Sequence, residues 1–459
     1  MKKLSIEEIV KSCNGKLICG DKSQTVESFS RDSREIKTGD IYVGIKGENF
    51  DGNAYYFQAL ENGAIGSIIE ESYESNIKLD DVRNKNIIIV KDSIKALQDI
   101  ATYRKEQANI PAVAITGSVG KTSTKDIIAS CLSKKFNVLK TQGNKNNHIG
   151  LPFTILDLED QEMMVLEMGM NHFGEIRTLT NIVKPQICVI TNIGTSHIGN
   201  LGSRENILKA KLEILEGMEP NGVVIINNDN DLLHKWAEEN KTNYNIVTFG
   251  IENKSDYTPY NIKESEDGIS YNIDINEKIY EVTVPVGGKA FVYNSLSALA
   301  VGQVLGEELE QCIEGIAKFE LTKKRMEIVK TKGMKIINDS YNASYDSMKA
   351  GLEALKNSGE TRKIAILGDM LELGEFAQEL HEKVGEEVAK NNIDILVTVG
   401  PNAKYISQKA QALGVKEVKI CENNKEAIEY LQNTIKAGDA ILLKASNSMK
   451  FGEIFEAII

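Results

Sequence analysis

What the 459-residue chain lacks narrows it first. No stretch reaches the roughly 20 uncharged apolar residues that a membrane span needs. The start, MKKLSIEEIV, is an amphipathic helix pattern without the apolar centre of a signal peptide. A cytoplasmic protein with no stable membrane insertion is expected. Excess positive charge is also missing. The formal charge of −12 argues against non-specific nucleic-acid binding or adhesion to an anionic membrane surface. It leaves nucleotide binding open, because that needs only local donors. The six cysteines (Cys13, Cys19, Cys131, Cys188, Cys312, Cys421) carry no paired metal spacing. Most sit in apolar settings and read as small buried hydrophobes, with no disulfide and no structural zinc. No Ser-His-Asp or Cys-His arrangement is evident, and no G-x-G-x-x-G follows a strand. The usual signatures of hydrolase and redox chemistry are therefore missing.

What is present is ordinary globular composition, 41% hydrophobic and 26% charged, in a chain too long for one core. The stretch AVAITGSVGKTSTKD (112–126) organises the rest. Ala112 to Thr116 reads as a buried parallel strand, and Gly117, Ser118, Val119 and Gly120 as a tight turn. Lys121, Thr122, Ser123 and Thr124 open a helix whose first N–H groups would cradle a phosphate. Lys121 adds a mobile positive charge, and Thr122 would put its hydroxyl on magnesium as in a Walker A loop. The spacing, G-x-x-G-K-T, is two residues shorter than the usual G-x-x-x-x-G-K-[ST]. The competing reading is a strand-turn-helix corner with a solvated lysine.

The expected class is α/β with three domains. Residues 1–90 form a small α/β unit, residues 91–318 a central ATPase-like domain with a mostly parallel sheet, and residues 319–459 a doubly wound, Rossmann-like domain. In the first, Ser33 and Arg34 suit either a phosphorylated ligand or a surface turn. In the second, the polar run 141–152, which holds Asn144 and Asn147, reads as a binding loop or a long surface connection. Glu167 ends an apolar strand, where an α/β sheet places metal-binding carboxylates. His197 follows the next strand but ranks below Glu167, since magnesium prefers oxygen. Residues 202–216 look helical, and Lys209 and Lys211 lie close to the strand edge or are solvated. Residues 251–285 suggest an antiparallel insertion. Asn294 would meet a base edge or cap local backbone. The last domain shows four apolar strands ending in glycine or polar residues.

These motifs resemble the cytoplasmic Mur ligases, which add amino acids to UDP-N-acetylmuramoyl peptides. ITGSVGKTSTK (115–125), TQGNKNNHIGLP (141–152), LEMGMNHFGEI (166–176), TNIGTSHIGNLGSRENILKAKLEI (191–214), NDSYNASYDSM (338–348) and LGDMLELGE (367–375) carry the likeness. It spans essentially the whole chain and points to the branch that adds D-alanyl-D-alanine. The resemblance implies ATP, two magnesium ions, a UDP-N-acetylmuramoyl-tripeptide acceptor and a D-alanyl-D-alanine donor. It also implies a C-terminal domain that closes over the centre. Closure among three domains needs no partner chain, so a monomer is expected.

Site roles follow from the same likeness. Gly117, Ser118, Gly120, Lys121, Thr122 and Ser123 would hold the phosphates. Glu167 and His197 would hold the second magnesium, supported by Lys211 if it is carbamylated. Asn294, Asn338 and Asp339 would touch the adenosine, with Arg325 near the phosphates. Ser33, Arg34, Lys46, Gly47, Asn144 and Asn147 would meet the UDP-sugar. Tyr341, Asn342, Lys444 and Ser446 would serve the dipeptide or the closed state. Two departures stand out: Ala290 replaces a common histidine, and Asn447 replaces an arginine whose bidentate grip asparagine cannot copy. The alternatives are a related ligase of altered substrate choice and a non-catalytic nucleotide-binding protein.

Overall fold

Apolar runs bounded by glycine and polar residues become the strands of four sheets in the computed structural model, which describes residues 3–239, 243–265 and 268–459. Met1 and Lys2, where the amphipathic pattern begins, lie outside them. The helix itself is Ile6–Ser12, started by a reciprocal capping box between Ser5 and Glu8.

The N-terminal sheet has five strands in the order Lys16–Cys19, Asn86–Val90, Gly66–Glu70, Ile41–Val43, Phe29–Ser30. Only the first pair is antiparallel. Lys16–Cys19 and Phe29–Ser30 are additions to the sequence reading. They are short and only partly buried, so they show no apolar run.

The central sheet runs Asn245–Phe249, Val223–Asn227, Ile187–Ile190, Ala112–Thr116, Met163–Glu167, Val138–Lys140, all parallel. Ala112–Thr116, Met163–Glu167 and Ile187–Ile190 are buried along their whole length, because helices cover both faces. Alternation sorts their side chains. Ala114, Leu166 and Ile190 pack with helices Ser93–Ala108, Gly150–Leu156 and Glu175–Val183. Ile115, Val165 and Val189 pack with Lys121–Leu132 and Lys289–Val304. Each of the Ile, Leu and Val side chains among these contributes about 1.5–3 kcal/mol by burial. Three adjacent strands thereby end on one edge, at Thr116, Glu167 and Ile190.

The segment expected to be helical over 202–216 is the helix Arg204–Leu212, continued by a 3-10 turn at Glu213–Leu215. Gly202, at φ +81°, separates it from the preceding short helix Ile198–Leu201. The antiparallel insertion is Pro259–Ser265, Gly268–Ile275 and Lys278–Val284, and residues 266 and 267 lie outside the described residues.

The C-terminal sheet has six strands, not four: Glu327–Thr331, Met334–Asn338, Asp439–Lys444, Arg362–Gly368, Ile395–Val399, Glu417–Cys421. Glu327–Thr331 is antiparallel to its neighbour. The two unexpected strands are the sheet's edges, where half-exposed residues hide the strand signal. Five cysteines are buried and Cys19 is half-buried. Folding also brings Cys131, Cys312 and Glu307 together, with ligand atoms within 4.8 Å of one another, a grouping invisible in the linear spacing. Among the described residues no helix is long and apolar enough to cross a membrane.

Candidate functional site

The phosphate-loop geometry starts at Gly117. A β-carbon there would lie 1.9 Å from Thr191 Oγ1, so only glycine lets the turn pass the next strand's end. The turn is tied to that strand: Ser118 N–H donates to the Asn192 carbonyl at 3.0 Å and Val119 N–H to Asn192 Oδ1 at 2.9 Å. Gly120, at φ +86°, caps the helix Lys121–Leu132. Thr124 N–H is the first of the helix to reach a carbonyl, that of Gly120 at 2.9 Å. The preceding N–H groups of Lys121, Thr122 and Ser123 are left at a cleft that all three residues line.

Glu167 is only 2% exposed and both its oxygens are engaged. Oε2 accepts from Thr122 Oγ1 at 2.7 Å, and Oε1 accepts from Asn146 Nδ2 at 2.7 Å. His197, at φ +65°, stands at the start of helix Ile198–Leu201 with Nδ1 2.7 Å from Glu372 Oε2. Burial lowers its pKa, the Glu372 bond opposes this, and the Lys121 and Lys211 ammonium groups add to the lowering. A histidine held neutral is a competent ligand.

Lysine charges crowd this edge. Lys121 donates to the Gly117 carbonyl at 2.8 Å. Burial depresses its pKa, Glu167 opposes the shift and Arg325 reinforces it. Lys211 is 1% exposed, which excludes the solvated reading; Lys209, two residues earlier, is the exposed one. Burial and the Lys121 charge push Lys211 well below the ordinary lysine range. The lowering raises the share of neutral amine, the form that reacts with carbon dioxide.

The C-terminal unit supplies the opposite wall of a cleft of about 850 Å³. Arg325 places its guanidinium 3.9 Å from the centre of the Tyr341 ring, and its buried Nε has no hydrogen-bond partner. A buried guanidinium donor without a partner, in a residue lining the same cleft as the phosphate loop, fits an anionic ligand. Asp339 pairs with Lys444, which also donates to the Asn342 carbonyl at 3.1 Å. Oxygen donors from Thr122 and Glu167, a neutral His197 and the free Arg325 Nε fit a metal-bound nucleotide triphosphate.

The cleft joins Ser118, Gly120, Lys121, Thr122, Ser123, Asn144, Asn147, Glu167, His197, Asn294, Arg325, Asp339, Tyr341, Asn342 and Lys444. Ala290 lines it as well. Asn294 Oδ1 accepts from Thr124 Oγ1 at 3.0 Å, so the side chain serves the loop helix while lining the cleft. Asn147 Oδ1 accepts from Gly150 N–H at 2.8 Å and thereby opens the helix Gly150–Leu156. Ser446 and Asn447 line a neighbouring pocket of about 420 Å³ with Glu372 and His197.

Other expected residues stand apart from the cleft lining. Asn338 is buried between Glu327 and Ser340, bonded to each at 3.1 and 2.6 Å. Ser33 donates to Gln58 Oε1 at 2.9 Å, and Arg34 forms a bidentate pair with Asp32 at 2.8 and 2.6 Å. Lys46 is exposed and Gly47 closes a turn to the Phe50 carbonyl at 2.9 Å. Sequence reasoning missed Asn146 and Glu372. Asn146 lay inside a loop already marked as binding, but Glu372 reaches its partner from 175 residues away.

The family description "Mur ligase middle domain" matches residues 115–302, and "Mur ligase, glutamate ligase domain" matches residues 324–447. A Bacillus subtilis protein named UDP-N-acetylmuramoyl-tripeptide–D-alanyl-D-alanine ligase is 36% identical, covering 100% of this chain and 99% of its own. A crystal structure of MurF from Acinetobacter baumannii superposes with a TM-score of 0.89 at 28% identity, covering 99% of this chain and 98% of that one. MurF ligase from Thermotoga maritima in complex with ADP superposes with a TM-score of 0.82 at 29% identity, covering 94% and 97%.

Proposed function

The chain belongs to the Mur ligase family, among the UDP-N-acetylmuramoyl-tripeptide–D-alanyl-D-alanine ligases, and from that premise we propose how its cleft works. The protein uses ATP to join D-alanyl-D-alanine to the terminal carboxylate of UDP-N-acetylmuramoyl-tripeptide, a step of peptidoglycan precursor synthesis. The observation that carries the site assignment is the meeting of Lys121, Thr122, Glu167 and His197 with the unpartnered Arg325 Nε around one cleft.

A carboxylate resists nucleophiles because it is negative and has no leaving group. Its oxygen attacks the γ-phosphorus of ATP; the bond to the bridging oxygen breaks, leaving an acyl phosphate and ADP. The neutral amine of D-alanyl-D-alanine then attacks the carbonyl carbon. The tetrahedral intermediate expels phosphate, and the nitrogen loses its extra proton to give the amide. Lys121 steadies the β- and γ-phosphates, the helix N–H groups hold the loop side, and Arg325 meets the charge from the C-terminal wall. Thr122, Glu167 and His197 would hold magnesium, which would supply charge neutralisation for the phosphoryl transfer. Lys211 would join as a carbamate: its amine in the neutral form adds carbon dioxide and releases one proton, leaving an anion where a protonated lysine would repel the metal.

Further assignments belong to the same reading. The N-terminal unit (1–90) takes the UDP part through Ser33, Arg34, Lys46 and Gly47, with Asn144 and Asn147 on the sugar side. The central unit (91–318) takes ATP. The C-terminal unit (319–459) takes the dipeptide through Tyr341, Asn342, Lys444 and Ser446, and part of the adenosine through Asp339. Asn338 is bonded to Glu327 and Ser340, which points to a role in shaping this wall rather than direct contact. One copy of the chain supplies every residue named, and a cytoplasmic monomer is the working unit. Exclusion of water from the acyl phosphate requires the C-terminal wall in place before attack.

A coupled assay for ADP release, with UDP-N-acetylmuramoyl-tripeptide and a panel of dipeptides, tests this. Release requiring both the acceptor and D-alanyl-D-alanine is expected. Release with another dipeptide instead would identify a ligase of altered choice, which the Asn447 departure favours. No release with any pair would leave a nucleotide-binding protein.

A further inference from the structure

The loop at 194–199 is gripped at two points by the C-terminal unit. Asp346 Oδ2 accepts from Thr195 N–H at 2.7 Å and from Thr195 Oγ1 at 2.9 Å. A β-carbon on Gly194 would sit 2.3 Å from that same oxygen. At the other end the Glu372 carbonyl accepts from Gly199 N–H at 3.1 Å, and a β-carbon on Gly199 would come within 2.6 Å of Glu372 O and Gly374 N. Between these contacts Glu372 presents its carboxylate to His197 Nδ1 at 2.7 Å. Both residues have left-handed backbones, φ +65° for His197 and +61° for Glu372, although neither is glycine. Strained non-glycine residues facing each other across a domain seam mark a junction whose geometry is held by its surroundings.

We propose that Glu372 is a positioning residue that fixes the His197 tautomer, so that docking of the C-terminal unit completes the metal site of the central unit. This rests on the ligase reading for the identity of the metal site. An ionised carboxylate only accepts, so Nδ1 must carry the proton it shares with Glu372. In the neutral imidazole that leaves Nε2 as the bare nitrogen, the one able to take a metal. A histidine ligand whose other nitrogen donates to a carboxylate is oriented and made more basic, and loss of such a partner weakens metal affinity about 10- to 100-fold. Here the partner arrives from a different domain. Undocked, His197 loses the acceptor and its tautomers mix; docked, one form is selected. By reciprocity, metal on the central unit favours the docked arrangement.

The test uses the full chain labelled with 15N-histidine. There are five histidines, His148, His172, His197, His234 and His381, so His197→Gln identifies the signal of interest. Long-range 1H–15N spectra of the wild type are expected to show Nδ1 protonated and Nε2 bare at position 197. Glu372→Ala is expected to mix the tautomers and to weaken Mn2+ binding, measured by electron paramagnetic resonance with ADP present, by about tenfold or more. An unchanged His197 spectrum in Glu372→Ala overturns the role of Glu372 and leaves the ligase reading standing. A changed spectrum with unchanged Mn2+ affinity removes His197 from the metal site, and the inference falls with that part of the ligase reading. If Glu372→Ala does not fold, Glu372→Gln, which keeps the volume and removes the charge, is read through the same Mn2+ titration.

Discussion

Thr122 Oγ1 donates to Glu167 Oε2 at 2.7 Å, joining the first turn of the phosphate-loop helix to the end of the neighbouring strand. Two oxygen donors from separate elements are thereby held at one point on the sheet edge. Asn146 fixes the other carboxylate oxygen, so the acid cannot swing away. Glu167→Gln keeps the shape and removes the charge. Turnover should fall by about two or more powers of ten, and the Mg2+ concentration for half-maximal rate should rise. Measuring kcat across a Mg2+ series checks both.

Lys121 donates to the Gly117 carbonyl within its own loop. Replacing it with alanine therefore removes charge from the phosphates without opening a structural ion pair. The expected loss in kcat is about a hundredfold or more, with the melting temperature little changed. Near-normal turnover would remove Lys121 from the mechanism.

Lys211 should be a liability to the fold. Its folded pKa lies well below the ordinary value, so the unfolded chain binds more protons and stability rises with pH through this range. Lys211→Met should raise the melting temperature near neutral pH. That gain should shrink as pH climbs toward the ordinary lysine value of about 10.4, while activity is lost. Thermal scans from pH 7 upward test the slope and its sign.

Gly199 has no room for a side chain against Glu372 and Gly374, and the obstructing atoms are backbone. Gly199→Ala should push the C-terminal unit off its seat. Small-angle scattering should then give a larger radius of gyration than the wild type, with kcat reduced and ATP affinity retained. An unchanged radius would show that the seam yields.

The parts of the site legible in the sequence are the local ones. A strand, a glycine turn and a hydroxyl-rich helix start lie within fifteen residues, and Glu167 closes an apolar run, so neither needs tertiary knowledge. Lys211 was not legible as buried, because its helix also carries the exposed Lys209 and the periodicity does not choose between them. Glu372 was not legible as a partner of His197, since the pairing depends on how one domain sits on another. The same limit applies to the fold. Interior parallel strands announce themselves by continuous apolar runs, whereas edge strands such as Glu327–Thr331 alternate with solvent and do not.

The central claim is that the acceptor's carboxylate is activated by a phosphoryl group from ATP in this cleft. It is tested most directly by labelling both oxygens of the terminal carboxylate of UDP-N-acetylmuramoyl-tripeptide with 18O and analysing the released phosphate by mass spectrometry. The account predicts one 18O atom in each phosphate formed, with the other kept in the new amide. Phosphate free of 18O, alongside amide formation, would contradict it.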